Sequence, residues 1–141
     1  MPDRELVSLK KSWHEVDALY NLYAKSRGLN FASILVLQLL HESEEEYTQK
    51  RLCEKLGLPK QFINAIIKAF WEQGYVTLKE AKDRRNKELS LTKKGRAFAL
   101  DMLKPLIDAE DAMWESFSPE EISLLAKMLA RYTKALEDAV R

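Results

Sequence analysis

The stretch YTQKRLCEKLGLPKQFINAIIKAFWEQGYVTLKEAKDRRNKELSLTKKGRAF, residues 47–98, decides the fold. Thr48 is placed to cap a short helix that runs to Leu56 and is stopped by Gly57. Pro59 opens the next helix, in which Ile63, Ile66, Ile67 and Phe70 fall on one face, and Gly74 ends it. The period then changes. Tyr75–Lys79 and Lys87–Leu91 read as two short strands around a charged tip, a β-hairpin. Helix, turn, helix and hairpin, in that order, make a winged helix-turn-helix.

Working outward, Leu6, Leu9, Trp13, Val16, Tyr20 and Tyr23 alternate spacings of three and four, a heptad-type helical stripe ending near Gly28. Asn30 caps a second helix to about Glu42 that is apolar on nearly every side and therefore belongs at the centre. Beyond the hairpin, Thr92 starts a long helix reaching about Glu115, with Pro105 expected to kink it. Ser118-Pro119-Glu120-Glu121 is a helix-start signature. The helix it opens carries Ile122, Leu125, Leu129, Tyr132, Leu136 and Ala139, again spaced three and four. The expectation is a mainly α fold with a small β-hairpin, a winged helix-turn-helix domain flanked by N- and C-terminal dimerisation helices. Two such stripes offer more apolar surface than one short helix pair needs, so they are expected to pack across a two-fold axis. The alternative is that both face one intramolecular core.

Composition agrees with a globular chain of one domain: 141 residues, 46% hydrophobic and 32% charged. No apolar run reaches the ~18–20 residues needed to span a bilayer. No signal peptide is visible after Met1, and a single cysteine forms no intrachain disulfide, so a cytoplasmic location is expected. The formal net charge of +1 hides a segregation. Residues 48–96 hold 13 Lys/Arg against 5 Asp/Glu, and the remainder holds 10 against 17. A basic middle between acidic flanks suits a nucleic-acid-binding module, although a solvated face has the same composition.

On the Pro59–Gln73 helix the face opposite the apolar stripe carries Lys60, Gln61, Phe62, Asn64, Ala65 and Lys68. Asn and Gln pair bidentately with adenine, Lys donates to guanine or phosphate, and Phe62 suits a thymine methyl. The hairpin tip holds Lys82, Asp83, Arg84 and Arg85, followed by Lys87. A cationic tip suits the negative potential of a narrow minor groove, with Asp83 bracing an arginine by a charge-assisted bond.

Residues 47–98 resemble the MarR family of winged-helix regulators, most specifically through DRRNKELSLTKKG at 83–95; GLNFASILVLQLL at 28–40 is similar more loosely. The resemblance implies a single MarR-like domain over 1–141. Residues 29–98 would form the DNA-binding part, and 4–27 and 99–140 the dimerisation helices. It implies a homodimer on a palindromic operator in double-stranded DNA, one helix in each major groove and one wing in each minor groove. Arg85 would then enter the minor groove, with Asp83 as its brace and Arg84 on the backbone. Members are often released by small phenolic or lipophilic ligands, or by cysteine oxidation. Two features depart from the family pattern: Pro59 stands where a capping Ser is usual, and the wing lacks its frequent prolines.

Other signals are weaker. Cys53, between Leu52 and Leu56, fits packing better than thiol sensing, which needs an exposed, low-pKa thiolate. His14 and His41 are too few for a convincing metal site, although His41 precedes the acidic run Glu42, Glu44, Glu45 and Glu46. Trp13, Tyr20, Tyr23 and Phe31 are candidates for an aromatic ligand pocket, and equally for core or interface. No phosphate loop or nucleophile–base pair appears, so neither an enzyme nor a cofactor is expected. Two other classes stay open. One is a winged-helix module binding an acidic protein partner; the other is a small enzyme or carrier using the aromatic crevice.

Overall fold

The computed structural model describes residues 3–43, 47–80 and 87–141. Its elements are α1 (Arg4–Ser26), α2 (Phe31–Glu42), β1 (Tyr47–Thr48), α3 (Gln49–Leu56) and α4 (Lys60–Glu72). They continue with β2 (Val76–Glu80), β3 (Lys87–Leu91), α5 (Lys93–Trp114) and α6 (Pro119–Val140). This is the mainly helical winged arrangement expected from the sequence. No described helix is long and apolar enough to cross a membrane.

The chain forms two compact units that meet in sequence at Lys104 and Pro105, inside α5. In the first unit α2 is central, as its all-round apolar character requires: Ile34, Val36 and Leu37 are completely buried. Asn30 caps it, accepting from both the backbone N–H and the hydroxyl of Ser33 at 2.8 Å. That bond lets Ser33 sit in the core, because a buried hydroxyl is tolerated once it is hydrogen-bonded. Leu52 of α3, Ile63 and Ile67 of α4 and Leu89 of β3 complete the centre.

The three strands form an antiparallel sheet in the order β1-β3-β2. β1 has only two residues, too few for period-two alternation to reveal it, and pairs Tyr47 with Leu89 and Thr48 with Glu88. In the hairpin, Val76 faces Leu91 and Leu78 faces Leu89, which puts the apolar pairs on one side. Thr77 faces Ser90 and Lys79 faces Glu88 on the other. The Thr77 and Ser90 hydroxyls bond at 2.8 Å.

The second unit is the remainder of α5 together with α6. Trp114 and Phe117 meet at 5.6 Å between ring centroids where the chain turns. Ser118 and Glu121 form a full capping box: the Ser118 hydroxyl accepts from Glu121 N–H at 3.1 Å, and the Glu121 carboxylate accepts from Ser118 N–H at 2.8 Å. Replacing Ser118 with alanine is expected to lower stability by ~1 kcal/mol. Urea denaturation checks this, and an unchanged midpoint would show that the cap contributes nothing.

Candidate nucleic-acid interface

The amphipathy of α4 creates the surface. Ile63, Ile66, Ile67 and Phe70 are buried, while Lys60, Gln61, Phe62, Ala65 and Lys68 are exposed. The sequence expectation for this face therefore matches at five positions. Asn64 differs. It is half-buried, and its Oδ1 is enclosed with no hydrogen-bond partner among the described residues. The apolar periodicity of the helix does not by itself signal this. Trp71, which the sequence reading passed over, is 55% exposed beside Glu72. Lys68 lies 3.9 Å from Glu72 with both side chains largely exposed, a contact worth ~0–1 kcal/mol that leaves the ammonium available.

The ends of α4 are fixed differently. Pro59 occupies the N-cap position, not the first helical turn, and supplies no side-chain bond, so the missing cap noted in the sequence is real. At the other end Gly74, with φ of 78°, allows the Schellman closure. Tyr75 N–H donates to Phe70 carbonyl at 2.9 Å, and Gly74 N–H donates to Trp71 carbonyl at 3.0 Å.

This closure is bolted to the start of α5. Thr92 donates its hydroxyl to Gly74 carbonyl at 2.6 Å and accepts from Gly95 N–H at 2.9 Å. Lys94 Nζ donates to Gln73 carbonyl at 2.9 Å and lies 5.4 Å from the centre of the Tyr75 ring. Tyr75 stacks on Phe98 at 4.0 Å with the rings almost parallel. The run Thr92-Lys93-Lys94-Gly95 thus orients α4 and the hairpin on one support, a role that the sequence reading did not assign to it.

The wing strands bring Lys79 and Lys87 to exposed positions, Lys79 opposite Glu88 and Lys87 opposite Glu80 in the strand register. The tip expectations on Lys82, Asp83, Arg84 and Arg85 lie outside the described residues, as do Glu44, Glu45 and Glu46. On α3, the Thr48 hydroxyl accepts from Arg51 N–H at 3.1 Å, and the Arg51 guanidinium lies 5.1 Å from the centre of the Tyr47 ring. Cys53 is half-buried.

The four aromatic candidates separate. Tyr20 and Phe31 meet at 5.0 Å between ring centroids. Tyr23 donates its hydroxyl to Met102 carbonyl and carries the Arg27 guanidinium 5.5 Å from its ring centre. Trp13 is 43% exposed on α1. Tyr20, Tyr23 and Phe31 are half-buried packing residues in this arrangement.

The MarR family model matches residues 27–86, which include α2, β1, α3, α4 and β2. Along nearly its whole length the chain also superposes on a MarR family regulator from Neisseria meningitidis. That likeness has a TM-score of 0.83 at 26% identity, covering 98% of this chain and 97% of that one. Over residues 27–86 and in its fold the chain resembles the MarR family. Among curated relatives, it is 28% identical over 130 residues to the HTH-type transcriptional regulator SarZ of Staphylococcus epidermidis, covering 89% of this chain and 84% of SarZ. A MarR family regulator of Listeria monocytogenes solved with a 26mer DNA shares the fold at TM-score 0.76 and 21% identity, covering 99% and 92%. The segment matched by the MarR family model includes all of α3 and α4, so the exposed face of α4 lies within it.

Proposed function

We propose that the chain is a member of the MarR family and a DNA-binding transcriptional regulator that acts as a homodimeric repressor on a palindromic operator. The observation that carries it is α4: a 13-residue helix gripped along one face by four buried apolar side chains, with Lys60, Gln61 and Lys68 exposed on the other. A hairpin follows it directly, and the whole segment is strongly basic. Those are the parts a major-groove reader with a minor-groove wing requires. The DNA complex of the Listeria relative supports carrying this use of the fold across. A second copy would seat on the apolar stripes of α1 and α6. A small lipophilic or phenolic effector near Trp13, Tyr20, Tyr23 and Phe31 would release the DNA. Location in the cytoplasm and absence of catalysis belong to the same proposal.

Phosphate contacts from Lys50, Arg51, Lys60, Arg84 and Lys87, with the charge of Lys68 added in the groove, make affinity steeply salt-dependent. A loss on the order of 10³-fold or more is expected between 50 and 200 mM salt. Fluorescence anisotropy on a duplex selected from a random pool measures it. Arg85→Ala should weaken binding by roughly ten-fold or more at unchanged thermal stability, through loss of a minor-groove cation. Equal affinity would remove Arg85 from the interface. If no salt-sensitive DNA binding occurs even at low ionic strength, the DNA reading fails and a basic module for an acidic protein partner takes its place.

A further inference from the structure

We infer that base discrimination by α4 rests on Gln61, Ala65 and Lys68, and that Asn64, one position away from Ala65, reads no base. The inference deepens the DNA-binding proposal and rests on it. Gln61, Ala65, Lys68 and Glu72 stand at i, i+4, i+7 and i+11, one line along the helix directly opposite the buried Ile63, Ile66, Ile67 and Phe70. The N-terminal residues of a recognition helix meet the base edges. Glu72 is about 16 Å further along the axis than Gln61, beyond that region. Gln61 and Lys68 are separated by about 10 Å of helix, roughly three base-pair steps. Between them Ala65 presents only a methyl group, which allows close approach to the groove floor and suits a thymine methyl.

Asn64 is excluded by its environment, not by its chemistry. Adenine is read bidentately: the amide oxygen accepts from N6 while the amide nitrogen donates to N7. The Asn64 oxygen is enclosed by protein and has no hydrogen-bond partner among the described residues. Turning the amide over would enclose the nitrogen instead, so one end stays withdrawn from the groove in either orientation. Gln61 is exposed, one methylene longer, and carries the same amide on the central line.

The experiment is selection from a randomised duplex pool with the full chain and with Gln61→Ala, Lys68→Ala, Asn64→Ala and Asn64→Leu. Gln61→Ala should lose preference at one base pair per half-site by roughly 10- to 100-fold, and Lys68→Ala at a position about three base pairs away. Both Asn64 variants should return the parental motif, and either one that folds answers the question. Loss of preference at one base pair in the Asn64 variants, or parental motifs from Gln61→Ala and Lys68→Ala, overturns the inference while the DNA-binding reading stands. Failure of the parent to select any sequence removes that reading itself, and this inference with it.

Discussion

Gly95→Ala is expected to cost about 3 kcal/mol or more and to lower the melting temperature by roughly 10 °C. Two effects of opposite sign compete. Alanine inside a helix gains up to ~1 kcal/mol over glycine, and Gly95 lies in the first turn of α5, so on propensity alone the change would stabilise. Space decides the other way. A Cβ at position 95 would stand 1.9 Å from the carbonyl oxygen of Tyr75 and 2.7 Å from its carbonyl carbon. Such C···O contacts ordinarily sit near ~3.3 Å, so the start of α5 would have to retreat by more than about 1 Å. The obstacle is backbone and has no rotamer to yield.

Retreat would strain every bond of the junction. Thr92 N–H donates to that same Tyr75 carbonyl at 3.0 Å, and the Thr92 hydroxyl, the Lys94 ammonium and the Tyr75–Phe98 stack all bridge the same two segments. Because this junction orients α4 and the hairpin, DNA affinity should fall even at temperatures where the variant remains folded. Arg96→Ala, an exposed position on the same turn, is the control and should stay within ~0.5 kcal/mol of the parent. A Gly95→Ala melting temperature at or above the parent's would show that the junction yields without cost.

That junction also marks the limit of what the sequence discloses. The caps are local chemistry and are legible: Asn30, Thr48 and Ser118 each accept from the backbone N–H three residues on. The hairpin strands are legible because apolar residues recur at every second position. What stays hidden depends on residues distant in the chain. β1 is visible only through its pairing with β3. Gly95 reads as an ordinary weak point of a helix until Tyr75 is brought against it. At the candidate site, the exposure of Gln61 and Lys68 follows from the helical period. The half-burial of Asn64 does not.

The apolar face of α6 leads to the other large effect. Ile122, Leu125, Leu129, Tyr132 and Leu136 follow one another at three and four residues and remain 38–50% exposed, and no residue of α6 is buried. A 22-residue helix with no buried residue draws little on the core packing that ordinarily supplies most helical stability. A contiguous exposed apolar strip of this kind commonly marks an interaction surface. Completing the burial of five such side chains on each of two copies contributes ~1 kcal/mol apiece, about 10 kcal/mol in all. That is comparable with the ~4–15 kcal/mol association cost, and the α1 stripe of Leu6, Leu9, Trp13 and Val16, 43–55% exposed, adds further area.

The expected state is therefore a dimer of twice the 16.4 kDa chain mass. Leu129→Asp puts a carboxylate in the middle of the seam, once per copy, and leaves two desolvated charges facing apolar surface. Sedimentation equilibrium at micromolar concentration should show the parent as a dimer and the variant as a monomer. Operator affinity should fall by 10²-fold or more, because a monomer forfeits the high effective concentration at the second half-site. A parent that sediments as a monomer overturns the pairing outright. A variant that stays dimeric moves the interface away from α6. With the α6 face uncovered on each chain, a single half-site is all the monomer can hold.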